Sequence, residues 1–189
     1  MDRVLLGICF ALMAAGSSQA AISLLGDGPV SQCARAAHDY ANKDEDLAAC
    51  DQAVVEAAPE DKAGTYINRG VLLLRRKQYD AARADFDAAE RLNPALGEAV
   101  INRGASYVAQ RRYLEGLAEI DRGLALNPEE PEKAYYNRAM ANEALDDKEA
   151  AYQDYTIAWE LAPHWDAPRE QMLRLRPKQR VLLLIRRTP

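Results

Sequence analysis

The sequence predicts an all-α fold, a solenoid built from antiparallel helix pairs that repeat along the chain. The composition is rich in helix-forming residues, and only two phenylalanines occur in the chain. An Asn-Arg motif followed by a small residue begins at Asn68, Asn102 and Asn137. A proline landmark recurs with the same two steps of 34 and 35 residues, at Pro94, Pro128 and Pro163. Because two independent landmarks shift together, the repetition indicates stacked helical units.

The composition is that of one folded domain with an uneven distribution of charge. Of the 189 residues, 49% are apolar and 28% are charged, and the formal net charge is −5. Residues 21–170 hold 28 acidic and 17 basic residues, a net charge of −11. The end of the chain has no acidic residue and six basic ones, Arg174, Arg176, Lys178, Arg180, Arg186 and Arg187. An acidic body repels phosphate backbones, so we expect no nucleic-acid partner.

Residues 1–20 are typical of a secretory signal rather than of the fold. Arg3 precedes an apolar stretch over 4–15, and the small residues Ser18 and Ala20 occupy positions −3 and −1 of a cleavage site after Ala20. The stretch is shorter than the roughly 20 residues that span a bilayer. Asp2 weakens the basic start, and an uncleaved anchor or a buried first helix is the alternative. We predict a cleaved signal peptide over 1–20, a linker over 21–29, and a periplasmic or secreted protein.

Cleavage would leave two cysteines, Cys33 and Cys50, in an oxidising compartment. A helix–helix turn predicted at 42–44, with Asp44 as N-cap, lies midway between them. Two antiparallel helices joined there would place the cysteines at similar heights. We predict a disulfide that stabilises the fold by roughly 3 kcal/mol. The alternative is a redox-active pair, but the Cys-x-x-Cys spacing and a cation placed to activate a thiolate are both missing.

Within each unit, small and large residues alternate at fixed offsets. With each proline landmark counted as position 32, position 8 is small, being Gly70, Gly104 and Ala139. Position 24 is large, being Phe86, Ile120 and Tyr155. A small residue lets the two helices of a unit approach, and the large one fills the space between them. This pattern resembles the tetratricopeptide repeat, here of an exported bacterial type.

The resemblance implies a right-handed superhelical solenoid with a concave inner face and a C-terminal capping helix. A degenerate, disulfide-stapled unit is predicted over 30–61, where Cys33 falls at position 7 and Cys50 at position 24. Three regular units follow over 62–94, 95–128 and 129–163. The capping helix is predicted over 164–176, with Met172 and Leu173 covering the last apolar edge, and a basic tail over 177–189.

The resemblance also implies that the first helix of each unit lines a concave groove that holds another protein. Position 6 is Asn in all three regular units, at Asn68, Asn102 and Asn137. Carboxamides both donate and accept hydrogen bonds, which suits the backbone of an extended peptide. Lys133 at position 2 and Tyr136 at position 5 complete the candidate groove. The alternative is that the asparagines bond neighbouring helices and hold no ligand.

Arginine replaces the usual leucine of position 7 in every regular unit, at Arg69, Arg103 and Arg138. These side chains could form a cationic stripe. We favour a structural role, because an arginine stem packs well while its guanidinium reaches a carboxylate. The expected partners lie on the second helices and are Asp85, Asp87, Asp121 and Asp154.

Catalytic motifs are missing from the sequence. Neither His-Glu-x-x-His nor a Gly-rich phosphate loop occurs, and acidic pairs such as Glu129 and Glu130 lie in predicted turns. We expect no catalytic residue, cofactor or metal. The predicted function is a non-enzymatic scaffold of the cell envelope that binds an extended peptide segment of a partner in its groove. The alternative is a structural subunit of an envelope assembly that uses its convex face or basic tail.

The basic tail has three interpretations that the sequence leaves open. It could contact anionic membrane surfaces weakly, since each basic residue near such a surface contributes up to about 1 kcal/mol. It could instead bind an acidic partner, including the acidic body of another copy, or have no specific role. The sequence leaves the oligomeric state open as well.

Overall fold

The computed structural model describes residues 28–39 and 43–176, which form nine α-helices and no strand. In chain order these are α1 (Pro29–His38), α2 (Asp44–Glu56), α3 (Lys62–Arg75), α4 (Tyr79–Leu92), α5 (Gly97–Ala109), α6 (Tyr113–Leu124), α7 (Pro131–Ala144), α8 (Lys148–Leu161) and α9 (Asp166–Leu175). The predicted signal peptide over 1–20, most of the linker and the basic tail lie outside the described residues. Within the described part, no helix has the length and apolar character needed to cross a membrane.

The helices form an all-α solenoid in which each pair contacts the next pair along the chain. The three regular pairs, α3–α4, α5–α6 and α7–α8, close with the same turn. In each turn one residue has a φ between 60° and 65°, and these residues are Lys77, Arg111 and Asp146. The following N–H donates to the carbonyl five residues back, as Gln78 does to Leu73 at 2.9 Å. The turns recur with the same two steps as the sequence landmarks.

The core of each regular pair is the contact between positions 8 and 24. A Cβ atom added at Gly70 would lie 2.5 Å from Cε1 of Phe86. One added at Gly104 would lie 2.7 Å from Cγ1 of Ile120. The third pair instead has Ala139, which is buried in one cluster with Tyr155. The predicted pairing of small and large residues is therefore confirmed, and it sets how closely the helices of a unit approach.

Both ends of the solenoid differ in detail from the sequence prediction. Helix α2 begins at Asp44 itself, so Lys43 is the N-cap and the prediction of Asp44 in that role is wrong. The backbone N–H of Lys43 donates to Oδ2 of Asp46 at 2.7 Å, which closes the helix start. At the other end α9 covers the last unit with Met172, but Leu173 is 48% exposed. Leu173 is not among the residues that pack against this core.

Candidate functional site

A cavity of about 630 Å³ opens at the N-terminal ends of α3 and α5, and we call it the groove. Helix α1 contributes Val30 and Ala34 to its lining, and α3 contributes Gly64 and Asn68. The rest of the lining comes from the three loops that connect successive units, at 59–61, 93–96 and 127–129, and from Ala63, Thr65, Leu92 and Glu98 on the helices beside them. These loops converge because every first helix starts at the same edge of the solenoid. The groove is thus shared by the first three units.

The groove is acidic. The carboxylates that line it are Glu60, Asp61, Glu98 and Glu129, and its lining includes no Lys, Arg or His. Glu98 is only 8% exposed, and its Oε1 accepts a hydrogen bond of 3.1 Å from the backbone N–H of Glu129. Within the described residues, none of the four carboxylates forms an ion pair. The groove therefore offers uncompensated negative charge to whatever enters it.

The position-6 asparagines do not form the predicted ladder on the groove surface. Asn68 lines the groove and is 6% exposed, whereas Asn102 and Asn137 are 0% exposed. Asn102 and Asn137 do not line the cavity. Their predicted contact with a peptide, and the alternative that they bond neighbouring helices, both stay predictions.

Lys133 and Tyr136 also lie away from the groove lining. The Nζ of Lys133 is 2.6 Å from Oε2 of Glu130, one turn earlier. Tyr136 is 5% exposed, and its ring centroid lies 4.7 Å from that of Trp165. This ring is part of the core that α9 covers, so Tyr136 stabilises the cap. Neither residue lines the cavity, and their predicted role in peptide binding stays a prediction.

The position-7 arginines tie each unit to the one before it. Arg69 donates to both carboxylate oxygens of Asp85 in its own unit, from Nε at 2.8 Å and from Nη2 at 2.7 Å. Its Nη1 donates to Asp51 of the preceding unit at 3.0 Å. Arg138 repeats this geometry with Asp154 at 2.9 and 2.7 Å and with Asp121 at 2.6 Å. The expected structural role of these arginines is what the structure shows.

Arg103 makes the same connection with a larger set of carboxylates. It donates to Glu119 of its own unit and to Asp87 and Glu90 of the preceding unit. Burial lowers the pKa of Arg103, but its hydrogen bonds to Glu90 and Asp87 outweigh burial and raise the pKa above its usual range. The guanidinium of Arg103 therefore stays charged and engaged with carboxylates of the solenoid.

Family models of the tetratricopeptide repeat match residues 63–96 and residues 132–164. Both matches begin at position 1 of the repeat frame that the proline landmarks define. The chain is a tetratricopeptide repeat protein. Among curated proteins, none matches the sequence significantly.

Solved tetratricopeptide repeat domains have similar folds. The Arabidopsis OM64 domain is 22% identical with a TM-score of 0.57, over 63% of this chain and 98% of that chain. The second domain of human RPAP3, solved in complex with an HSP70 peptide, is 20% identical with a TM-score of 0.55, over 64% and 100%. MamA from Desulfovibrio magneticus RS-1 is 19% identical with a TM-score of 0.57, over 79% and 84%. At such identities the likeness shows the fold.

The first, degenerate unit of this tetratricopeptide repeat protein is held by a disulfide between Cys33 and Cys50. Their Cα atoms are 4.6 Å apart, and both residues are 0% exposed. The bond joins α1 to α2 and so fixes the helix that forms one wall of the groove. The disulfide therefore helps to hold the shape of the groove.

The acidic lining is the feature that sequence reasoning missed. The sequence pattern places Glu129 in a predicted turn and does not single out Glu60 and Asp61. The sequence does contain a signal for the lining, because each of these residues lies just before a first helix and the repeat brings such segments to one edge of the solenoid.

The tetratricopeptide repeat fold is generally a non-enzymatic interaction domain. Within the described ranges, no cluster of three or more His, Cys, Asp or Glu residues could hold a metal ion.

Proposed function

We propose that this protein is a non-enzymatic scaffold of the cell envelope that binds an extended peptide segment of a partner protein in its groove. The observation that carries the proposal is the groove itself, a cavity of about 630 Å³ on the first helices of three units. Position 2 of two units, Gly64 and Glu98, contributes to its lining. A cleft of this size with a few polar groups is typical of a binding site.

A solved relative supports a peptide as the ligand class. The human RPAP3 domain with this fold is in complex with the HSP70 peptide SGPTIEEVD. The acidic lining of the present groove would repel the acidic end of such a peptide, so we expect a ligand of different charge. The location in the periplasm or outside the cell is part of the proposal and rests on the signal-like residues 1–20.

The test uses a substitution that occupies the groove and leaves the core residues unchanged. Gly64 lies on α3 and lines the groove, so Gly64→Tyr would place a ring where the peptide is proposed to lie. The matched control is Ala81→Tyr, since Ala81 is exposed on α4 and is not a lining residue. A photoactivatable crosslinking residue at Asn93, on the rim, reports the occupant in the native envelope.

We expect a protein adduct at Asn93 in the unmodified groove and in the Ala81→Tyr variant, and its loss in the Gly64→Tyr variant. Circular dichroism checks that all three remain folded. An adduct that persists in folded Gly64→Tyr would contradict groove binding. The convex face or the basic tail would then be the binding surface, as in the alternative of a structural envelope subunit.

A further inference from the structure

Within the described residues, the four carboxylates that line the groove have no cation paired with them. The carboxylates between the second helices, such as Asp85 and Asp154, are paired with position-7 arginines. Glu98 is more than nine-tenths buried in the groove lining, and within the described residues its single partner is the Glu129 N–H. A buried carboxylate without a cation is costly unless a positive group approaches it. The groove is thus built to receive a cationic ligand.

Apolar side chains separate these carboxylates in the groove. Val30 and Ala34 line it from α1, and Leu96 and Pro128 line it from the loops. A suitable ligand would therefore combine basic residues with an apolar run.

Such a segment occurs in this chain. Residues 178–187 read KQRVLLLIRR, with two basic residues before the apolar run at 181–185 and two after it. Four cations match the four groove carboxylates in number. The segment lies outside the described residues, and its charge and apolar content are taken from the sequence.

The length of extended chain that follows Arg176 decides whether the segment comes from the same copy or from a second copy. Packed helices lie about 8–10 Å apart, so the path from α9 past α7 to the groove at α5 is at least about 16 Å. An extended residue spans about 3.3 Å, so Lys178 and Arg180 can extend about 13 Å at most beyond Arg176. These two residues cannot enter the groove of their own copy. The full segment can enter the groove of a second copy.

We infer that the acidic groove of one copy binds the basic segment 178–187 of a second copy, so that the protein self-associates from tail to groove. The inference rests on the proposed function, because it uses the same groove for an extended peptide. Such a contact is heterologous, and it leaves the donor copy with a free groove and the acceptor copy with a free tail. Self-association would then be extendable and sensitive to salt.

The test is charge reversal in the full chain, followed by sedimentation velocity. The groove-reversed variant carries Glu60→Lys, Asp61→Lys and Glu129→Lys, which are exposed positions. The tail-reversed variant carries Lys178→Glu, Arg180→Glu, Arg186→Glu and Arg187→Glu. The control variant matches the groove-reversed variant in its change of charge, but at exposed acids outside the groove, by Glu45→Lys, Glu160→Lys and Glu170→Lys.

We expect the unmodified protein and the control variant to associate at low salt, and each reversed variant alone to associate at least about tenfold more weakly. A mixture of the two reversed variants should associate again, because the basic groove of one receives the acidic tail of the other. Rescue in the mixture requires contact between copies, so it also excludes binding within one chain.

Two results would overturn the inference. One is an unmodified protein that stays monomeric at all concentrations, and the other is a folded groove-reversed variant that associates as strongly as the control. Either result leaves the proposed function separately testable by the Gly64→Tyr crosslinking experiment. Loss of a partner adduct there, together with a monomeric protein here, would retain the peptide groove and assign it a foreign ligand.

Discussion

Each position-7 arginine contacts carboxylates of unequal burial, and burial decides how much each contact stabilises the fold. For Arg138, the side chain of Asp154 is 5% exposed and that of Asp121 is 58% exposed. Water screens the exposed pair, which contributes up to about 1 kcal/mol. Removing one partner of a buried pair costs about 3 to 5 kcal/mol, because the remaining charge loses its compensation.

We therefore predict that Asp154→Ala lowers the free energy of unfolding by about 3 kcal/mol, at the lower end because Arg138 is 26% exposed. Asp154 also accepts a hydrogen bond of 3.2 Å from Asn142 Nδ2, which the change removes. Asp121→Ala, on the same arginine, should cost less than about 1 kcal/mol. Urea denaturation followed by circular dichroism measures both. Equal losses in the two variants would contradict the assignment of strength by burial.

At the scale of helices and turns, the sequence predicts more than it does for single side chains. The regular units could be placed because two landmarks fixed the same repeat frame, and the family matches begin in that frame. The groove role of Asn102 and Asn137 could not be settled in this way. Spacing places a residue on the first helix, but its burial depends on how closely the next first helix approaches. That distance is set by packing throughout the unit.

The turns between paired helices contain a conformational cost that the sequence did not reveal. Lys77 has a φ of 60° and Arg111 a φ of 62°, both in the left-handed region that glycine favours. A residue with a Cβ atom pays roughly 1–2 kcal/mol there. Glycine at the same position avoids this cost but loses about 0.5–1 kcal/mol more backbone entropy on folding.

Lys77→Gly and Arg111→Gly should therefore each raise the free energy of unfolding by about 0.5–1 kcal/mol. The matched control is Gln78→Gly in the same turn, where φ is −86° and glycine relieves nothing. That change should be neutral or destabilising by about 0.5–1 kcal/mol. Thermal unfolding of the three variants decides the matter. A loss of stability in the Lys77 and Arg111 variants equal to that of the control would refute the argument.

At the scale of the whole molecule, each unit is supported by its neighbours, and the first unit has a neighbour on one side within the described residues. Its α1 depends on contacts from α2 and α3. Arg75 of α3 donates to the Ala36 carbonyl at 3.1 Å and also to the carbonyl of Ala37, at the end of α1. The Cys33–Cys50 disulfide adds a covalent tie that limits opening of this unit.

Removing this tie should loosen one end of the solenoid rather than the whole. Cys33→Ala/Cys50→Ala is expected to lower the stability of the first unit by roughly 3 kcal/mol, because the open chain regains loop entropy. Hydrogen exchange with mass spectrometry should show faster exchange over 29–38 and 44–56 and unchanged exchange over 113–161. Since α1 forms one wall of the groove, peptide binding should weaken in the same variant. A reductant should reproduce the effect in the unmodified protein and leave the double variant unchanged. Uniformly faster exchange along all described helices would instead mean that the solenoid unfolds as one cooperative unit.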